Sequence, residues 1–151
     1  MIVPIPMISD KYGRKQVFVI TIIVSIITQI DLVYVDSYNS ALRLMFILGM
    51  TFPGRQIVGT FYQTELIPDK LRSSALLYMS LFGSLMAILM TVYYDLVSNC
   101  VTGLQVLFIV LGSLNLLCVI LLVPESPKYL YSHKRFDEAR DSLSRIAKFN
   151  G

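Results

Sequence analysis

The stretch from residue 104 to residue 123 reads LQVLFIVLGSLNLLCVILLV, and none of these twenty residues is charged. An α-helix rises about 1.5 Å per residue, so about twenty residues cross the hydrocarbon core of a bilayer, which is about 30 Å thick. Lipid offers no hydrogen-bond partner to a peptide backbone, so such a stretch must be helical to be stable there. The stretch therefore predicts a membrane-spanning helix.

Three more stretches have the same length and character. One has Asp31 as its only charge, one contains Arg43 and Arg55, and one has no charge; they cover residues 16–35, 41–64 and 73–94. Residues 1–9 are apolar and are predicted to be the end of a further helix. The predicted fold class is all-α: a multi-pass transmembrane bundle over residues 1–123, followed by a cytoplasmic segment over residues 124–151.

The overall composition agrees with a membrane protein. Of the 151 residues, 55% are hydrophobic and 15% are charged, whereas soluble domains carry about 25% charged residues. These values exclude a disordered chain, which would be poor in aliphatic and aromatic residues. The net charge of +3 is too small to indicate nucleic-acid binding.

The positions of the basic residues predict the topology. Eleven of the 13 lysines and arginines lie in residues 10–15, residues 66–72 and the tail after Pro124, while residues 36–40 and 95–103 contain none. Connections on the cytoplasmic side of membrane proteins carry an excess of basic residues. The three basic segments are therefore predicted to be cytoplasmic.

The tail contains a predicted amphipathic helix at about residues 136–149. Phe136, Ala139, Leu143, Ile146 and Ala147 recur at helical spacing and form one apolar stripe. We expect this stripe to pack against the cytoplasmic ends of the other helices. The alternative is that it lies on the lipid surface.

The loop between the first two predicted helices carries a recognisable pattern. Asp10 could cap the helix that follows, and Gly13 permits a tight turn. The series Asp10, Lys11, Gly13, Arg14 and Lys15 resembles the signature loop of the major facilitator superfamily, in which an acid, a base, a glycine, an arginine and a second base follow one another.

Two further motifs strengthen this resemblance. Glu65, Pro68 and Arg72 are spaced like the family's Glu-x-x-Pro-x-x-x-Arg, and residues 124–130 read PESPKYL, similar to the Pro-Glu-Ser-Pro motif after the sixth helix. The helix after that motif is similar to the one in organic cation/anion transporters and, less closely, in sugar porters. The resemblance implies that the chain is part of the amino-terminal half of a twelve-helix transporter, from the end of the second helix to the sixth.

The resemblance also implies a role for the cytoplasmic charges. Glu65 and Glu125 would exchange partners among the nearby bases and so hold a cytoplasmic gate closed in one state of an alternating-access cycle. The alternative is that these residues only fix topology and loop geometry. The predicted gate residues are Asp10, Gly13, Arg14, Lys15, Glu65, Arg72, Glu125 and Lys128.

Arg55 is a second candidate because it lies deep in a predicted span. It is about 14 residues from the start of that span, which is about 20 Å below the outer surface. Gly59 and Tyr62 lie on the same helix face. This face could line a substrate path in which Arg55 meets an anionic group, or Arg55 could form a buried structural ion pair. Pro53 and Gly54 predict a kink just before it.

The remaining residues point to no enzymatic chemistry. Asp31 and Arg43 are expected to pair near the outer surface. No nucleophile–base arrangement, metal-ligand cluster or phosphate-binding loop is visible, so the sequence predicts no enzyme, no cofactor and no metal. Cys100 and Cys118 do not form a disulfide framework.

The sequence therefore predicts transport of a small solute, with an organic ion as the leading substrate class. A sugar porter and a short, non-transporting membrane scaffold are the alternatives. The expected partners are the lipid bilayer, the solute and transporter helices outside this chain, and no nucleic acid is expected.

Overall fold

A computed structural model describes residues 5–96 and 101–150, and the regular elements in these ranges are all helical. The all-α prediction is therefore confirmed. Residues 1–4 and Cys100, both included in the sequence predictions, lie outside the described residues. The elements are α1 (Ile5–Tyr12), α2 (Arg14–Tyr34), α3 (Tyr38–Pro53), a π-helical turn (Gly54–Val58), α4 (Gly59–Leu66), α5 (Asp69–Leu96), α6 (Val101–Leu122), α7 (Pro127–Ser132) and α8 (Phe136–Asn150).

Three of these helices are long and apolar enough to cross a membrane. The stretches that qualify are Arg14–Tyr34, Lys70–Asp95 and Thr102–Leu122. Many large apolar side chains on them face outward; Leu77 and Leu121, for example, are 60% and 69% exposed. Continuous apolar surface of this kind is unstable in water. The chain is therefore a multi-pass membrane protein.

Residues 41–64, unlike the other predicted spans, do not form one continuous α-helix. They run through α3, the π-helical turn and α4 without leaving helical conformation. Pro53 has no N–H and cannot donate to the carbonyl four residues earlier, at Gly49. The backbone widens into the π-helical turn at this point, where Pro53 and Gly54 had predicted a kink.

Helix α2 forms the centre of the packed region. Phe18 and Ile22 of α2 pack with Val58, Tyr62 and Val119 in the core cluster. The Phe18 and Tyr62 rings lie 6.1 Å apart between centroids. The π-helical turn and α4 therefore lie close to α2, and polar side chains of these three segments can contact one another.

Two glycines allow that approach. A Cβ atom on Gly54 would overlap the Thr21 side chain, and one on Gly59 would lie 2.6 Å from Cε2 of Phe18. Both overlaps are well inside van der Waals contact, so a larger residue at either position would push the helices apart.

The segment after α6 folds back as two short helices. Ser126 caps α7, since its Oγ accepts from the Tyr129 N–H at 3.3 Å. On α8, Ala139 and Ser142 are buried, whereas Phe136 and Leu143 are 54% and 56% exposed. The predicted apolar stripe is therefore only partly packed against the protein, because α8 turns a polar residue, Ser142, toward its neighbours as well.

An ion pair lies at the start of α8, just after the connection from α7. The Arg135 guanidinium donates two hydrogen bonds to the Glu138 carboxylate, at 2.7 and 2.6 Å. These hydrogen bonds, together with the charge of Glu138, raise the pKa of Arg135. The pair is exposed, so its contribution to stability is small.

Candidate functional site

The turn at Gly13 brings the charged residues of α2 into position. Gly13 has φ of +109°, a region that glycine adopts without the steric penalty of other residues. A Cβ here would lie 3.1 Å from Oε2 of Glu125. Gly13 therefore allows both the break between α1 and α2 and the close approach of Glu125 to it.

Glu65, in the last turn of α4, joins three parts of the chain. Its carboxylate forms an ion pair with Arg14 at the start of α2 and accepts a 2.6 Å hydrogen bond from Ser126 Oγ. The Lys128 ammonium lies 4.0 Å away. The Glu65 side chain is only 10% exposed, so its pair with Arg14 is weakly screened by solvent. Lys128 is 81% exposed and contributes little.

Glu125 has different partners from those expected. Its carboxylate accepts the backbone N–H of Lys15 at 2.9 Å and that of Ser126 at 3.1 Å. It therefore caps the amino terminus of α2, where Gly13 has no side chain to do so. The predicted pairing of Glu125 with Arg14, Arg72 or Lys128 is not seen among the ion pairs of the described residues.

The prediction that Asp10 caps α2 is wrong, because Glu125 caps this helix. The position that Asp10 was expected to fill at the start of α2 is taken by Glu125. Asp10 lies within α1 and pairs with Arg14 at 3.3 Å, four residues along the chain. That pair is exposed on the Asp10 side and weak.

The Lys15 side chain also joins α2 to α6, in this case by donating to carbonyls at the end of α6. Its ammonium donates to the carbonyls of Ile120 and Val123 at 3.2 and 2.6 Å. Carbonyls in the last turn of a helix lack intrahelical donors, and the carboxyl end of a helix attracts positive charge. Lys15 thus caps the end of α6 while Glu125, just beyond α6, caps the start of α2.

Arg72 reaches the same cluster through a backbone contact. Its Nε donates to the Thr64 carbonyl at 3.1 Å, near the end of α4. With Glu65 and Lys128 it borders a cavity of about 410 Å³. The three predicted motifs therefore meet at one end of the bundle. We call this group, which consists of Asp10, Gly13, Arg14, Lys15, Glu65, Arg72, Glu125 and Lys128, the charged cluster.

Arg55 lies in a separate polar region. Its Nη1 donates to Ser25 Oγ of α2 at 2.8 Å, and Gln29 Nε2 donates to the same oxygen at 3.1 Å. These residues border a cavity of about 550 Å³ between α2, the π-helical turn and α6. No carboxylate of the described residues lies within ion-pair distance of Arg55.

Of the two residues predicted to share the path with Arg55, Gly59 borders a cavity with it and Tyr62 does not. Tyr62 is 1% exposed and its hydroxyl donates to the Pro124 carbonyl at 2.5 Å, so it joins α4 to the segment after α6 and lines neither cavity beside Arg55. Gly59 packs against Phe18 and, together with Arg55, borders a second cavity of about 540 Å³ between the π-helical turn, α4 and α5. The expected ion pair between Asp31 and Arg43 is also absent from the described residues.

Three residues with important contacts were not singled out from the sequence. Ser126 is fully buried, and serine before proline is a typical helix start that could have indicated its role in capping α7. Ser25 and Gln29 are polar residues four apart in an apolar helix, and this spacing places them on one face. Metal binding has no support in residues 5–96 and 101–150, where no three His, Cys, Asp or Glu side chains cluster.

Comparison with known proteins identifies the family. Residues 3–150 match the model of a family described as "Sugar (and other) transporter". The chain belongs to this family. This match, together with relatives named as an MFS transporter and as members of solute carrier family 22, confirms the resemblance to major facilitator transporters and to the organic cation/anion transporters among them.

Individual relatives of this transporter family are similar at low identity. The niacin transporter NiaP of Acinetobacter baylyi is 26% identical over 95% of the chain, and the MFS transporter fmqE of Aspergillus fumigatus is 30% identical over 92%. Solute carrier family 22 member 1 of Oryctolagus cuniculus is 26% identical over 95%. The chain spans 33%, 27% and 26% of the length of these relatives.

Proposed function

We propose that the chain is part of a carrier that moves a small organic ion across a membrane by alternating access, as a secondary active or facilitative transporter and not an enzyme. Its partners are the bilayer, the solute and the carrier's remaining helices. Two similarities support this: one relative is named a niacin transporter and others are members of solute carrier family 22.

The contacts of Glu65 are the observation that carries the mechanism. A single half-buried carboxylate holds the start of α2 through Arg14 and the segment before α7 through Ser126. Alternating access requires contacts that form in one state and break in the other. The charged cluster is suited to this, because rotation of α4 against α2 would separate Glu65 from Arg14.

The cluster would lie on the cytoplasmic side, and with it the tail that contains α7 and α8. The basic residues of the three motifs lie at one end of the bundle, and the positive-inside rule assigns such an end to the cytoplasm. The cluster would then close the inner end of the pathway, with Arg55 and Gly59 bordering the pathway above it.

A sugar is the second candidate substrate, because the description of the family names sugars first. Uptake by the complete gene product in proteoliposomes, measured with panels of organic cations, organic anions and sugars, tests the proposal. Saturable uptake of one organic-ion class supports it, and uptake of sugars alone would replace it with a sugar porter. Absence of uptake from all three panels would favour a non-transporting membrane scaffold.

A further inference from the structure

We propose that the cavity between α2, the π-helical turn and α6 binds the carboxylate of a small aromatic organic acid, with Arg55 as the anion-binding group. This inference rests on the proposed transport function and adds to it the charge and shape of the solute. It assigns positioning and contact roles to Ser25, Gln29 and Asn115.

The first argument is the charge of Arg55. Arg55 lies in residues 41–64, which the sequence predicts to span the membrane, and a guanidinium in such a segment is costly unless an anion or several acceptors surround it. In the described residues Arg55 has one hydroxyl acceptor, Ser25 Oγ, and no carboxylate. The planar fork of a guanidinium matches a carboxylate with two parallel hydrogen bonds, so the unused donors favour a carboxylate ligand.

The second argument is that neighbouring residues preorganise the Arg55 side chain for binding. Ser25 Oγ accepts hydrogen bonds from both Arg55 and Gln29, which fixes the guanidinium beside an amide. Arg55 also stands in the π-helical turn, and π-helical insertions in α-helices occur frequently at functional sites. A site whose charged group is held by neighbours loses less entropy when a ligand binds.

The third argument is the remaining wall of the cavity. Its volume of about 550 Å³ lies within the range of about 300–1,000 Å³ that is usual for small-molecule sites. Phe18 and Phe108 are its aromatic lining residues, and Gln29 and Asn115 add amide groups. A mostly apolar wall with one cation and two amides fits an aromatic ring that carries a carboxylate.

Binding of radiolabelled benzoate to the purified complete gene product tests this proposal, with benzamide as the uncharged competitor and N-methylpyridinium as the cationic one. We expect benzoate to bind in preference to both. We expect Arg55→Gln to weaken benzoate binding by about 10- to 100-fold, the usual range for a lost charged hydrogen bond, without changing benzamide binding. Arg55→Lys should recover part of the affinity. Arg140→Gln, which removes an exposed arginine of α8, is the matched control and should bind as the wild type does.

The same variants distinguish this proposal from the transport function and from a carboxylate supplied by the carrier itself. Equal benzoate binding by wild type and Arg55→Gln would overturn the proposal, as would a preference for N-methylpyridinium. In either case, uptake of another solute class would still support the proposed transport function. If Arg55→Gln stopped uptake of cations, anions and neutral solutes alike, the partner of Arg55 would be a carboxylate of the polypeptide, and the proposal would be wrong.

Discussion

The carboxylate of Glu125 accepts the backbone N–H of Lys15 at 2.9 Å, although the two residues are 110 positions apart in the sequence. The ammonium of Lys15 donates in return to the Val123 carbonyl at 2.6 Å. Each charge lies at the helix end whose dipole it complements. Two residues thus cap two helices and hold the start of α2 against the end of α6.

Replacing Glu125 should therefore destabilise the protein through α2. We expect Glu125→Ala to lower the free energy of unfolding by about 1–2 kcal/mol, the usual cost of removing an N-terminal cap. Glu125→Gln keeps an acceptor and loses only the charge, for which about 0.3–1 kcal/mol is typical. Unfolding in mixed detergent micelles, followed by circular dichroism, measures both values. Asp36→Ala, at an exposed acid between α2 and α3, is the control, and an equal loss there would contradict the capping role.

A methyl group at Gly13 should disturb the same contact from the other side. Gly13→Ala places a Cβ 3.1 Å from Oε2 of Glu125 at φ of +109°, and a backbone conformation that residues with a side chain rarely adopt costs about 1–3 kcal/mol. We expect the double variant Gly13→Ala/Glu125→Ala to lose less stability than the sum of the two single variants, because removal of Glu125 relieves the contact. Strict additivity in the unfolding measurement would mean that backbone strain is the whole effect.

The sequence was sufficient for the parts of the fold that depend on composition. Uncharged stretches such as residues 104–123 predict membrane helices because lipid leaves the backbone no alternative. The motifs around Gly13, Glu65 and Glu125 also predicted which segments carry the charged cluster. These properties depend on residue type and local spacing, which a single sequence displays.

The sequence was insufficient for the choice of partners within the cluster. Glu125 binds two backbone N–H groups, and any arginine nearby would have been an equally good partner on charge alone. That choice depends on where the open end of α2 lies relative to the end of α6. Tyr62 shows the same limit, since nothing in the sequence indicated that its hydroxyl would contact the Pro124 carbonyl.

Removing the charge of Glu65 should slow transport in the complete gene product. We expect Glu65→Gln to reduce turnover more than surface expression, because it breaks the half-buried ion pair with Arg14 while leaving an acceptor for Ser126. Arg72→Ala should act in the same direction, since it removes the hydrogen bond from Arg72 Nε to the Thr64 carbonyl. Initial uptake rates divided by surface protein, measured by biotinylation, give the comparison. If both variants turn over at the wild-type rate, the charged cluster fixes topology only and does not act as a latch.

Two glycines of the same helical run should respond in opposite directions to alanine. A Cβ at Gly49 meets nothing within 4 Å, whereas one at Gly54 overlaps Thr21. Alanine is favoured over glycine inside helices by about 0.8–1 kcal/mol, so Gly49→Ala should raise the free energy of unfolding. Gly54→Ala should lower it by about 1–3 kcal/mol, the usual cost of overpacking. Because Gly54 precedes Arg55 in the π-helical turn, the displaced turn should also weaken the contact between Arg55 and Ser25. Adding Thr21→Ala to Gly54→Ala should restore part of the stability, and no restoration would show that the loss does not come from this contact.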